Sequence, residues 1–247
     1  MRSRYSVSNF ASSFGPGPLT PAIKMLVTAN VAAFLLAFLA PTITLWLGLR
    51  PADVFGRFAV WQPLTYMFLH SGIFHLLFNM LALWMFGVEL ERMWGSRYFA
   101  MYYFIAGIGA AVTTLVLSLV PLAPGEQLYY SLTIGASGAV YGVLLAYGMY
   151  FPNRPIYLYF VFPIPAKYFV MIIGAISLFS SMNGSSGVAH AAHLGGLVAG
   201  YLYLKGGRFH PLSEFKYRYL KWRLNRSRRR FDVYSGGRSD NANRRVH

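Results

Sequence analysis

Six apolar stretches constrain this chain more than any other feature: about Lys24 to Ala40, Gly72 to Leu90, Tyr98 to Val120, Ser137 to Phe151, Tyr168 to Met182 and Val188 to Leu204. A helix needs roughly 20 apolar residues to cross about 30 Å of hydrocarbon. A helix also satisfies its backbone N–H and C=O groups internally, as lipid requires. The expectation is an all-α polytopic membrane protein: a six-transmembrane-helix bundle over residues 23–205, with a cytoplasmic segment at 1–22 and a basic cytoplasmic tail at 206–247. With 56% hydrophobic and 12% charged residues, the chain is too apolar for an ordinary soluble domain. Pro121, Pro124 and Gly125 separate the third and fourth stretches, and Pro152, Pro155, Pro163 and Pro165 crowd the connection from fourth to fifth. Asn183 to Gly187 forms a small polar turn before the last.

The net charge of +15 could suggest nucleic acid, but its location argues otherwise. From Lys205 onward there are 13 Lys or Arg against Glu214, Asp232 and Asp240, so the excess hangs off the end of a nearly neutral membrane region. Lys and Arg in short loops mark the cytoplasmic side. Arg2, Arg4, Arg92, Arg97, Arg154, Lys167 and the tail fall on one side, with Arg50, Arg57, Asp53 and Glu126 on the other. Both termini are therefore expected in the cytoplasm. The first 20 residues carry two arginines and no apolar run, so the first membrane helix is expected to direct insertion. The lack of cysteine removes disulfides, thiolate nucleophiles and cysteine-held metals.

Residues Pro41 to Leu69 hold Trp46, Leu47, Leu49, Phe55, Phe58 and Trp61, an amphipathic mixture suited to the outer interface, partly helical but not spanning. In the tail, Leu212, Phe215, Tyr219 and Trp222 recur at spacings of three and four among basic residues. That pattern suits a short helix on an anionic inner leaflet, although a solvated tail that only sets topology fits equally. Beyond Arg230 the composition points to disorder.

Polar groups inside membrane spans are functional candidates. Three clusters open alternate spans: His70, His75 and Asn79; Gly135, Ser137 and Gly138; His190 and His193. All three spans run from outside to inside in the expected topology. At 1.5 Å rise per residue, His75 and Asn79 lie roughly 5 to 10 Å, and His193 about 8 Å, below the start of their spans. The fourth span is short, about 22 Å, so Ser137 can begin below the surface and share that depth. The irregular backbone before it must then be shielded or line a wet cavity, which hydrolysis also needs. Ser137 is the candidate nucleophile and His193 the base that takes its proton. Small residues around the serine let a substrate backbone approach and expose helix N-terminal N–H groups to an oxyanion. Asn79 and His75, one turn apart, can donate to the same oxygen. No Asp or Glu lies in the clusters, so a dyad is expected. Tyr141, one turn after Ser137, can stack on His193. Gly138 with Gly142, and Gly196 with Gly200, are small-xxx-small pairs that let the fourth and sixth helices pack closely.

HSGIFHLLFN resembles the HxxxxHxxxN signature of rhomboid proteases, GASG their GxSG, and AHLGGLVAG their AHxxGxxxG. The three occur in order, each at the head of its own span, and the resemblance covers about Lys24 to Leu204. It implies a rhomboid-like bundle that cuts transmembrane segments near the membrane surface. Ser137 is then nucleophile, His193 base, and His75, Asn79 and the Ser137 N–H the oxyanion hole. Gly135, Gly138, Tyr141 and His70 support them. Family substrates are single-span membrane proteins with small residues at the cut and a helix that unwinds easily. The family base precedes the first glycine of its pattern by three, which selects His193 and leaves His190 as a hydrogen-bonded packing residue. His70 is expected to cap or hydrogen-bond at the helix entrance. The chain departs at Gln62, after Trp61, where some members have an arginine, and at Met93, where an arginine often stands; the outer loop and the second turn are the parts put in question. A bacterial plasma membrane is the expected location, with no cofactor.

Other classes are open to test. His70, His75, His190 and His193 could gather around Zn²⁺ in a metal or transport site, but no HExxH and no nearby carboxylate supports one; sensitivity to chelators would distinguish it. An inactive relative that binds membrane clients usually lacks the serine or the histidine, and this chain has both. A structural scaffold predicts that Ser137→Ala alters nothing beyond packing.

Overall fold

The computed structural model describes residues 15–121, 123–158, 162–182 and 187–206. Those up to Lys205 fall in one compact unit. Long helices cover each of the six apolar stretches: α1 (Pro21–Leu39), α5 (Ile73–Trp94), α6 (Ser96–Ser118), α8 (Ser137–Tyr150), α9 (Ala166–Met182) and α10 (Gly187–Gly206). Among the described residues α1, α5 and α6 are long and apolar enough to cross a membrane. The amphipathic stretch between α1 and α5 forms short helices, α2 (Thr42–Leu47), α3 (Pro51–Arg57) and α4 (Gln62–Thr65), ending in a 3-10 turn at Tyr66–Phe68.

Two elements depart from expectation. The Pro- and Gly-interrupted stretch after α6 holds a further helix, α7 (Ala123–Tyr130). The all-α reading also misses an antiparallel hairpin, β1 (Pro155–Leu158) with β2 (Phe162–Pro165), in which Pro155 faces Pro165 and Ile156 faces Ile164. Proline locks φ in a range that extended backbone accepts and donates no hydrogen bond, so a two-stranded ribbon tolerates it where a helix interior would not. The basic-tail helix expected around Leu212 to Trp222 lies outside the described residues.

The radial pattern is that of a protein solvated by lipid. Leu36, Phe38, Phe74, Phe78, Met171 and Phe179 point outward, while Asn30, Asn79, Thr114 and Ser118 are buried. Two buried tyrosines are bonded across helices: Tyr66 and Tyr102 donate to the Gly107 and Gly142 carbonyls at 2.7 and 2.6 Å. A helix N-terminus leaves N–H groups without intrahelical partners. Glu91, buried near the end of α5, accepts from the first N–H groups of α1, Ala22 at 2.8 Å and Ile23 at 3.0 Å. It also accepts from the Thr20 hydroxyl and, at 2.6 Å, from Ser96 opening α6. One carboxylate thus ties α1 to the α5–α6 turn, where Gly95 takes φ +80°, and Met93 at the departure from the family pattern is exposed. Gln62 fastens the outer connection from its buried position. It accepts from the Arg50 N–H at 3.0 Å and reaches the Trp46 carbonyl at 3.4 Å.

Helix α8 is the centre of the bundle, packed on α5, α6 and α9. Its 14 residues span about 21 Å, short of a bilayer's roughly 30 Å of hydrocarbon. The irregular backbone before it is paired within the protein. Leu49 and Thr133 exchange N–H···O bonds of 2.9 and 2.8 Å, and the Gly135 N–H donates to the Tyr66 carbonyl at 3.0 Å.

Candidate active site

Ser137 opens α8 and His193 lies inside α10, 56 residues later, with Nε2 2.8 Å from the serine Oγ. The helix contact that brings them together depends on missing side chains. A Cβ built on Gly196, about one turn after His193, would lie 1.9 Å from the Gly138 carbonyl oxygen. One on Gly142 would lie 3.3 Å from the Gly196 carbonyl, and one on Gly200 3.3 Å from the Gly142 Cα. Both small-residue pairs therefore sit in the α8–α10 contact, as close backbone approach requires. Gly195 faces α6 instead, where a Cβ would meet Thr113 and Ala110.

The imidazole is stacked as well as bonded. Tyr141 lies parallel to His193, ring centroids 4.1 Å apart at 7°. Its hydroxyl accepts a 3.2 Å hydrogen bond from Ser177 on α9. The other ring nitrogen, Nδ1, is buried and has no hydrogen-bond partner among the described residues.

A cavity of about 220 Å³ opens onto this pair, with His75, Asn79, Gly135 and Thr133 in its wall. The His75 Nδ1 is 3.4 Å from the Ser71 N–H and 3.1 Å from the Ser71 hydroxyl. A backbone N–H can only donate, so Nδ1 accepts and Nε2 is left carrying the proton as a donor. That Nε2 lies 2.8 Å from where a Gly135 Cβ would stand. Gly135 is also held at φ +126°, a backbone region that L side chains rarely adopt. The Asn79 amide donates to the His75 carbonyl at 2.8 Å, which leaves a second N–H on the same nitrogen.

His70 does not cap α5, whose N-terminal flank is Gly72 without a side-chain cap. It is buried behind His75, edge-on at 4.9 Å. Burial, and then the adjacent His75 ring, hold its imidazole down at about 4, which keeps it neutral at ordinary pH. His190 stands edge-on to His193 at 5.8 Å and is not among the residues lining the cavity. Among the described residues no three His, Asp or Glu side chains converge as ion ligands. Thr133, Tyr66, Ser71 and Ser177 were not singled out from sequence. Each is a common polar residue whose part depends on a partner elsewhere in the chain, apart from Ser71, which lies four residues before His75.

A family model described as the rhomboid domain matches residues 57–207. Rhomboid protease GluP of Bacillus subtilis is 36% identical over 143 residues, 57% of this chain and 25% of the relative. Rhomboid protein 1, mitochondrial, of Saccharomyces cerevisiae is 36% identical over 144 residues, covering 55% and 38%. Rhomboid protease AarA of Providencia stuartii is 34% identical over 157 residues, covering 58% and 54%. The matched region spans between a quarter and about half the length of these relatives. Since the family match takes in more than half of the chain and includes all three polar clusters, this integral membrane protein belongs to the rhomboid family.

Proposed function

We propose that this chain is an intramembrane serine endopeptidase that hydrolyses peptide bonds in or near transmembrane segments of other membrane proteins. The observation that carries the reading is the 2.8 Å contact between Ser137 Oγ and His193 Nε2 at the start of the short helix α8, beside a cavity with His75 and Asn79 in its wall. In the reaction, His193 takes the serine proton as Oγ adds to the scissile carbonyl. The resulting oxyanion accepts hydrogen bonds from the Ser137 N–H, His75 Nε2–H and Asn79. Collapse breaks the C–N bond, and the imidazolium passes its proton to the departing amine. Water, deprotonated by the same imidazole, then releases the acyl group and restores the serine.

Six membrane crossings by α1, α5, α6, α8, α9 and α10 form part of the proposal, with both termini in the cytoplasm and a bacterial plasma membrane as the site of action. The substrates are single-span membrane proteins. The GluP and AarA relatives, named as rhomboid proteases, support this direction. No metal or cofactor takes part, and the basic tail contributes topology or contact with anionic lipid.

The test is labelling of the detergent-solubilised protein with a fluorophosphonate, together with cleavage of a transmembrane substrate. Wild type is expected to label and cut, whereas Ser137→Ala and His193→Ala do neither while keeping the wild-type melting temperature. A folded wild type that neither labels nor cuts would instead favour an inactive, client-binding protein.

A further inference from the structure

From Phe169 to Phe179 on α9, Ser177 is the single residue with a hydrogen-bonding side chain. The helix otherwise presents Met171, Ile172, Ile176, Leu178 and Phe179 to the surroundings, whereas Ser177 is 1% exposed. A hydroxyl in an apolar, water-poor interior is costly unless it is bonded. Its partner is specific: the Tyr141 hydroxyl at 3.2 Å, on the ring that lies flat against His193.

In a Ser-His-carboxylate triad, a group on imidazole Nδ1 fixes the ring plane. Here Nδ1 of His193 meets no partner among the described residues. What restrains the ring plane is the Tyr141 face on one side, and a phenol ring can slide or pivot unless its far end is held. Ser177 holds that end. The chain of contacts runs from α9 (Ser177) to α8 (Tyr141), to α10 (His193) and back to α8 (Ser137), so three helices meet at the base.

We propose that Ser177 is a positioning residue for the catalytic base, acting through the Tyr141 ring. This rests on the protease reading above. Ser177 touches neither substrate nor reacting atoms, and its effect is on how often the imidazole is aligned with Oγ. The effect therefore falls on kcat and on the serine-labelling rate, with KM unchanged.

The experiment is a double-mutant cycle on the full chain in detergent with a transmembrane substrate: wild type, Ser177→Ala, Tyr141→Phe and the double variant. Tyr141→Phe keeps the stacking ring and removes only its hydroxyl. A single hydrogen bond of this kind supports an expected fall of about two- to tenfold in kcat for each single variant, with no further fall in the double. Ser177→Thr, which keeps a hydroxyl, is expected to recover most of the rate, and Tyr141→Ala to lose more than Tyr141→Phe. Wild-type kcat in Ser177→Ala, losses that multiply in the double variant, or a change confined to KM would each overturn the proposal. Failure of the underlying reading looks different, because wild type itself would then neither label nor cut.

Discussion

Gly196→Ala tests how tightly the α8–α10 contact sets the active geometry. The added Cβ falls 1.9 Å from the Gly138 carbonyl oxygen and 2.7 Å from its carbonyl carbon, both backbone atoms that cannot rotate away. An ordinary carbon–oxygen contact needs about 3.2 Å, so the helices must part by about 1.3 Å at this point. Overpacking of that sort costs about 1–3 kcal/mol. The consequence for the site is larger than for stability, because Gly138 adjoins Ser137 and Gly196 lies one turn from His193. If the parting is passed on in full, the 2.8 Å Oγ···Nε2 contact opens to about 4 Å, beyond hydrogen-bond reach. Misplacement of reacting groups by about 1 Å is worth on the order of a hundredfold in rate. The assay is the second-order rate of fluorophosphonate labelling, read beside the melting temperature in detergent. Gly56→Ala is the control, since a Cβ at Gly56, inside α3, meets nothing within 4 Å. It is expected to label normally and to melt at the same temperature or slightly higher. A Gly196→Ala protein that labels and melts like wild type would refute the claim that this contact sets the dyad distance.

Asn79→Ala is expected to slow substrate cleavage by on the order of a hundred- to a thousandfold without changing the melting temperature, the usual effect of losing one oxyanion donor; full activity in that variant would remove Asn79 from the oxyanion hole. Glu91→Ala takes the acceptor away from the N–H groups of Ala22 and Ile23 and from the Thr20 and Ser96 hydroxyls. A loss of about 2–4 kcal/mol is expected, read as a lower denaturation midpoint in detergent. An unchanged midpoint would mean that α1 is held by apolar packing alone. Gly135→Ala combines a strained φ with a Cβ 2.8 Å from the His75 ring, so labelling should fall sharply; wild-type labelling would show that the loop before Ser137 is free to rearrange.

Much of the site was legible because its logic is local. HSGIFHLLFN spaces His75 and Asn79 one turn apart, and the structure duly joins them by a 2.8 Å bond within one helix. GASG, with its permissive glycines, marked the start of α8 at Ser137. The spacing of Tyr141 from Ser137 put its ring on the serine's face, where it meets His193. His70, expected to cap or hydrogen-bond at the helix entrance, lies with its ring buried against His75, and the residue flanking α5 is Gly72. The four prolines between α8 and α9 announced a break, yet not that the break would pair with itself as β1 and β2.

By itself the sequence determined where apolar runs demand helices and which polar residues ride on them, because hydrophobic length and helical periodicity act over a few turns of chain. Only the tertiary structure decided which of those helices touch. Glu91 reaching back to Thr20, 71 residues away, Ser177 meeting Tyr141, 36 residues away, and Gly196 abutting Gly138 are contacts between elements. A serine or a glycine carries no sign of its distant partner, since that pairing is set by how the whole bundle fills its interior.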